Sequence, residues 1–309
     1  MAAAERNERG LSEVVGFILI LGIIVAALSL WMTYVVPADG RENEITQMDA
    51  VKDRFTDYKT SLDSLWLNNQ SGISVSTSFN LGTGGGNTQA SGLFLPLMKP
   101  RSSSATLSVT NSGDTLTVSS SSNPSGTKTP MNILEYQSAN YYWIQQRYYY
   151  QMGGVFLSQS DGIADRISPP ISIVNNSDNT VAVYIVPIQV TGGGSIGGNG
   201  PVRVDTRLRP LQPPTVSQLD SYVNISVNVA DNATALMWMN AVFNATMQRG
   251  GLVNPGYYSF SVKENPVTKR GSAYINITGP SAGATGDVYL TVRPVEYVVT
   301  LNTITSGLT

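Results

Sequence analysis

Six asparagines stand in Asn-x-Ser/Thr spacing, at Asn69, Asn175, Asn224, Asn232, Asn244 and Asn276, and each offers a side-chain amide that a glycosyltransferase can modify. Two aromatic triplets, Tyr141-Tyr142-Trp143 and Tyr148-Tyr149-Tyr150 with Arg147 between them, supply rings that either stack on glycans, form a subunit contact or fill a core. Read as one strand over 139–152, they place aromatics on both of its faces, one face toward a core and the other beneath a loop. Oxygen ligands for a hard cation occur at Asp161 and Asp165 and from Asn175 to Asp178, but not at the spacing of a calcium loop, so solvated turns are the expected role.

Other chemistry is excluded by composition. The chain of 309 residues has no histidine and no cysteine, which removes thiol nucleophiles, disulfides and imidazole ligands or bases together. No nucleophile–base pair or metal cluster can be assembled from the remaining motifs, so neither an enzyme nor a cofactor is expected. Gly84-Gly85-Gly86 and Gly192-Gly193-Gly194 lack the strand-then-helix setting and the following Lys of a phosphate loop. A net charge of −2 without clustered Lys and Arg gives no basis for a nucleic-acid partner.

What must position these groups is one apolar helix and the body that follows it. Residues 14–36 carry no charge and span roughly 34 Å as a helix at about 1.5 Å per residue, enough to cross a bilayer. On an insertion scale the Val, Ile, Leu and Phe of this run sum to about −6 kcal/mol. Trp31 and Tyr34 near its far end suit the headgroup level. Arg6 and Arg9 precede the run, whereas Asp39, Glu42, Glu44 and Asp49 outnumber Arg41 after it, which predicts a cytoplasmic N-terminus and an exterior body. All six sequons then lie outside the cell. Gly22 and Ala26 have the spacing of a close helix–helix contact, a pattern that also arises by chance.

Past Pro37 and Gly40, expected to bend or interrupt the helix, Met48, Val51, Phe55, Tyr58, Leu62 and Leu65 recur at alternating spacings of three and four. This is an amphipathic stalk over 39–68, packed either on its own body or on another copy, with its own body the expected partner because so short a seam makes a weak coiled coil.

From Gly72 the period changes to two, and many short strands between turns predict a mostly antiparallel, β-sandwich-like body over 69–309, an α+β chain overall, with a candidate sub-boundary near 209–214. Residues 105–110 and 115–119 read as a hairpin. Single strands are expected over 92–98, 139–152, 180–190 and 288–301, and one helix over 233–247 capped by Asp231, its Met237-Trp238-Met239 cluster filling core. Three segments rich in Gly, Ser and Asn, 81–92, 119–130 and 192–201, read as mobile loops.

Basic residues, Gly10, then Leu11-Ser12-Glu13-Val14-Val15-Gly16 and a long apolar helix resemble the class III signal of archaeal type IV pilin-like proteins, a resemblance specific over residues 6–36. Beyond that the chain is similar in general form to large pilin-like surface proteins of methanogenic archaea. The resemblance implies residues 1–10 as signal peptide, cleavage between Gly10 and Leu11 by a prepilin peptidase, and a transmembrane helix over 11–38 kept in the mature chain. Glu13 would be the third mature residue, where bacterial pilins carry their carboxylate at the fifth. It either pairs with a neighbouring subunit's new amino terminus or sits at the cytoplasmic membrane interface. The implied function is a cell-surface structural protein that is membrane-anchored or assembled with itself or other pilin-like subunits into a filament. The alternative is a membrane-anchored binding protein or adhesin whose β body captures glycans without polymerising. Contact residues are then Glu13, Tyr142, Trp143 and Arg147.

Overall fold

The computed structural model describes residues 2–83, 99–216 and 219–303, with side chains from residue 13 onward. The chain opens with α1 (Ala2–Leu30) and α2 (Val36–Leu67), joined without a break by a π-helical segment, Trp31–Val35. Pro37 and Gly40 therefore do not interrupt the rod as expected. Pro37 falls in the first turn of α2, and the wider π turn before it accommodates a ring that would otherwise press on the Thr33 carbonyl.

The seam of α2 is covered by the protein's own strands. Phe55, Tyr58 and Leu62 have no exposed surface, and Met48, Val51 and Leu65 have almost none. Burying such a side chain contributes roughly 1.5–3 kcal/mol, so this face is what fixes the rod to the body. The helix stops at a Schellman motif. Asn69 takes a left-handed φ of 52°, its N–H donates to the Trp66 carbonyl, and the Gln70 N–H donates to Leu65.

The strands are, in chain order, β1 (Ser74–Asn80), β2 (Ser104–Thr110), β3 (Thr115–Ser120), β4 (Thr127–Pro130), β5 (Ile133–Ala139), β6 (Arg147–Gln151), β7 (Gly154–Gln159), β8 (Gly162–Ile167), β9 (Ile171–Asn175) and β10 (Val181–Ile185). Then come β11 (Ile188–Gly192), β12 (Gly194–Gly198), β13 (Pro201–Leu208), β14 (Thr215–Val216), β15 (Val223–Val229), β16 (Tyr258–Glu264), β17 (Gly271–Ile277), β18 (Val288–Val292) and β19 (Val295–Thr303). They form four sheets, ordered β1-β13-β19-β11, β14-β18-β10-β9, β12-β2-β5-β6-β7-β8 and β16-β17-β15-β3-β4. Neighbours run antiparallel except β10 with β18 and β11 with β19. The chain is thus a long apolar helix on a mostly antiparallel β body, with the sheets in a propeller-like arrangement.

Two cores divide the body. One holds the α2 seam with inward residues of the β1 sheet and one face of the six-stranded sheet, including Leu107, Tyr136 and Tyr150. The other holds the remaining two sheets and a helical insert, α3 (Asn232–Met237) and α4 (Ala245–Arg249) joined by a π segment. The six-stranded sheet is their common wall. Along β6, Tyr148 and Tyr150 enter the first core and Tyr149 the second, because successive side chains leave a strand on opposite faces. Asp231 caps α3 as expected, accepting from the Thr234 N–H at 2.7 Å, and Trp238 is fully buried between Met237 and Met239.

Several local expectations are corrected. Residues 105–110 and 115–119 are not a hairpin: β2 pairs with β5 and β12, β3 with β15 and β4. Each strand's apolar side serves a different core, Leu107 and Val109 one, Leu116 and Val118 the other, so the intervening turn crosses between sheets. Residues 139–152 are not one strand, since a loop over 140–146 separates β5 from β6. The strands expected over 180–190 and 288–301 each break, at Val186-Pro187 and at Arg293-Pro294. Those prolines face each other in one register between two parallel pairings, and neither has an N–H to carry the ladder across. Residues 194–198, expected as mobile loop, are β12, whose pairing with β2 uses backbone groups alone. The glycine run supplies the turn into it, because a Cβ on Gly192 would run into the Val299 carbonyl. The strand expected over 92–98 and most of the 81–92 loop lie outside the described residues.

Candidate functional site

The first functional feature is the bare half of the rod. From Val14 to Tyr34 the large apolar side chains are exposed around the whole circumference, Phe17 at 67%, Ile23 at 69% and Tyr34 at 69%, and the body covers none of them. It belongs to the one helix, among the described residues, long and apolar enough to cross a membrane. A surface of this kind in water would drive aggregation, so it needs lipid or other apolar helices around it. Its two hydroxyls are satisfied internally: Ser29 donates to the Val25 carbonyl at 2.8 Å and Thr33 to the Ser29 carbonyl at 2.7 Å. Neither leaves an unpaired polar hydrogen facing hydrocarbon.

The second feature fixes this rod to the body just beyond the apolar stretch. Glu44, only 1% exposed, occupies the seam position before Met48. Its carboxylate accepts three backbone N–H bonds from the β5–β6 loop, from Tyr141 at 2.7 Å, Tyr142 at 2.8 Å and Trp143 at 2.6 Å. An ionised acceptor makes these about twice as strong as neutral bonds. The Tyr142 ring lies over Gly40, where a Cβ would collide with it, and the Arg41 guanidinium sits 4.2 Å from the Trp143 ring centre. The Tyr142 hydroxyl in turn accepts from the Arg101 N–H at 3.0 Å. The loop is a clasp around one turn of α2.

Of the residues singled out from sequence, Tyr142 and Trp143 meet in this clasp, on a loop and not on a strand face. Arg147 is elsewhere, paired with Glu135 at 3.4 Å and lying over the Tyr149 ring. Glu13 is exposed on the rod, 31 residues before Glu44 and hence roughly 46 Å away along the helix. Gly10 and Leu11 have helical backbone within α1. In the sequence Gly40, Arg41 and Glu44 figure only as a helix interruption and as charges flanking the span, not as a contact site. The available signal was register: counting back four from Met48 puts a carboxylate on the apolar seam.

The sequons fall into two groups. Asn69 and Asn175 are exposed, at the end of α2 and the end of β9. Asn224 and Asn276 face each other across β15 and β17, with the Asn224 Oδ1 buried. At Asn232 and Asn244 the Thr of the sequon, Thr234 or Thr246, is buried. The oxygen-rich loops serve their own turns: Asp178 accepts from the Thr180 N–H at 3.2 Å, and Asp165 accepts from the Ser168 hydroxyl at 2.5 Å. Among the described residues no group of three Asp or Glu is placed to hold a metal ion.

With this geometry established, comparison of the chain with protein-family models, with curated proteins and with solved structures finds no match.

Proposed function

We propose that this chain is a type IV pilin-like surface protein, cut after Gly10, whose retained helix first anchors it in the membrane and then packs against the helices of other copies in a filament. The observation that carries the proposal is the division of one continuous rod. Residues 14–34 are apolar and bare on every side, while the seam from Met48 to Trp66 is covered by the protein's own strands. A helix that only tethers a domain needs no such rigid continuation into it. A subunit that must hold its body in a fixed orientation around a packed helical centre does. The clasp at Glu44 supports the same reading, since it immobilises the body where the rod emerges. It also commits Tyr142 and Trp143 to the helix and leaves them unsuited to a glycan platform, which favours assembly over glycan capture. The partners on this reading are the membrane, a prepilin peptidase and further pilin-like subunits.

Mass spectrometry of the amino terminus tests the first step. A mature chain beginning at Leu11 is expected, and an intact Met1 or a cut beyond Val36 would refute it. Electron microscopy of cells with and without the gene tests the second, with surface filaments expected only where the gene is present.

A further inference from the structure

A cleft of about 770 Å³ lies along one flank of α2, between that helix, the end of β8 and the end of α4. Its charged lining is Lys59, Asp63, Arg166 and Arg249. Lys59 is nearly buried and held by Asp63 at 2.5 Å. Arg166 and Arg249 are exposed, and neither has a carboxylate within 4.0 Å among the described residues. Arg249 is braced by the Ala245 carbonyl at 3.2 Å and the Thr246 hydroxyl at 3.1 Å, which leaves the rest of its guanidinium free to face the opening.

The same chain carries a surface of opposite charge. Asp49, Asp53 and Asp57 follow one another at four-residue spacing and form a stripe on the side of α2 opposite its buried seam. Their side chains are 64%, 74% and 71% exposed. Lys52 and Arg54 approach them at 3.1, 3.8 and 4.0 Å, but these are exposed pairs, which contribute little and exchange readily. The body leaves this face open.

We infer that the cleft of one copy receives the acidic face of α2 from the next copy, with Arg166 and Arg249 taking up Asp53 and Asp57. This rests on the assembly reading above and names the surfaces that it requires. The two surfaces differ, so the contact is head-to-tail and not self-complementary, and repetition with a displacement along the rod gives an open helical array in place of a closed dimer. With the rods parallel and Asp53 and Asp57 seated level with Lys59 and Asp63 of the cleft, six residues further along α2, copies joined this way are displaced along the rod by about 9 Å.

The absence of cysteine makes the test direct. The full chain carrying Asp53→Cys and Arg249→Cys, both at exposed positions, is expressed in its membrane, oxidised, and run without reductant. A ladder of dimers, trimers and higher species is expected, whereas each single-cysteine chain, with no second thiol at the contact, stays monomeric. Filaments that form without a ladder, or single-cysteine chains that dimerise as fully as the double cross-links, overturn the inference and leave the assembly reading intact. A ladder in membranes that bear no filament supports the contact and counts against the filament. In a second experiment Asp57→Arg added to the double-cysteine chain is expected to abolish the ladder, and Arg166→Asp added with it to restore it. Rescue distinguishes pairing from simple misfolding. A charge reversal that changes nothing refutes the contact, as does retention of an acidic polysaccharide by the wild type that Arg249→Ser abolishes while the ladder stays absent.

Discussion

The backbone N–H of Trp143 donates to the Glu44 carboxylate at 2.6 Å across 99 residues of sequence. One side chain of the rod thereby holds a loop of the body, because the same carboxylate also receives the amides of Tyr141 and Tyr142. A carboxylate with two oxygens can accept all three, whereas an amide in its place keeps one acceptor and presents donors to donors.

Glu44→Gln is therefore expected to destabilise the full chain in detergent by about 1–3 kcal/mol for each N–H left unpaired. The amides of Tyr141, Tyr142 and Trp143 should exchange faster while those of β15 do not. Unchanged protection of all three amides would show that the clasp is held by its rings alone.

Gly40 is a helix-interior glycine whose usual cost of about 1 kcal/mol against Ala is reversed by its neighbour. A side chain there meets the Tyr142 ring, so Gly40→Leu should lower the melting temperature in spite of the better propensity. Adding Tyr142→Ala should recover part of the loss. A double-mutant cycle checks this, and strict additivity would show that the two residues do not interact.

The bare half of the rod makes a quantitative demand. The run contributes about −6 kcal/mol to insertion and a lysine near its centre costs about 2.5–3.5 kcal/mol. Ile20→Lys alone should leave most of the chain in the carbonate-resistant membrane fraction, while Ile20→Lys with Ile24→Lys should release it. Retention of the double variant would mean that the body or another protein, and not this helix, holds the chain at the membrane.

How much of this was legible depended on the range of the interactions. The apolar run, the seam from Met48 to Leu65 and the cap at Asp231 depend on neighbours within a few residues, so periodicity and residue type reveal them. The destination of β2 and β3 depends on which of two cores claims Leu107 or Leu116, and alternation is the same in either case. Pro187 and Pro294 each mark a possible strand end, but their placement opposite one another requires knowing that strands 107 positions apart in the chain are paired, Ile188 with Val295. Glu44 was hidden for a related reason. Its partners are backbone amides, which carry no residue signature.

The structure separates the six sequons. A transferase acting on the folded body requires an exposed asparagine with an accessible Ser or Thr two residues on, which Asn69 and Asn175 provide. Glycopeptide mapping of the native chain should find modification at these two and none at Asn224 or Asn276, which face each other in mid-sheet. Asn69→Gln and Asn175→Gln together should then remove the glycan mass. Occupancy at Asn276 would show that modification precedes folding of that sheet.

Asp165 supplies a pH dependence whose sign can be worked out. Burial raises its carboxyl above the ordinary value of 3.8, and the Ser168 hydroxyl with the nearby Arg249 and Lys59 cations offsets only part of that rise. The folded chain therefore holds this proton more tightly than the unfolded chain does. The stability it brings is fully present below the ordinary value and is lost as pH rises through the raised one. Asparagine carries no charge at any pH, so the melting temperature of Asp165→Asn should gain on the wild type as pH is raised from about 4 toward neutrality, with both chains in the same detergent. A gap that stays constant would mean that Asp165 titrates alike in both states. A wild type that instead gains on Asp165→Asn with rising pH would mean that Arg249 and Lys59 stabilise the carboxylate by more than its burial costs.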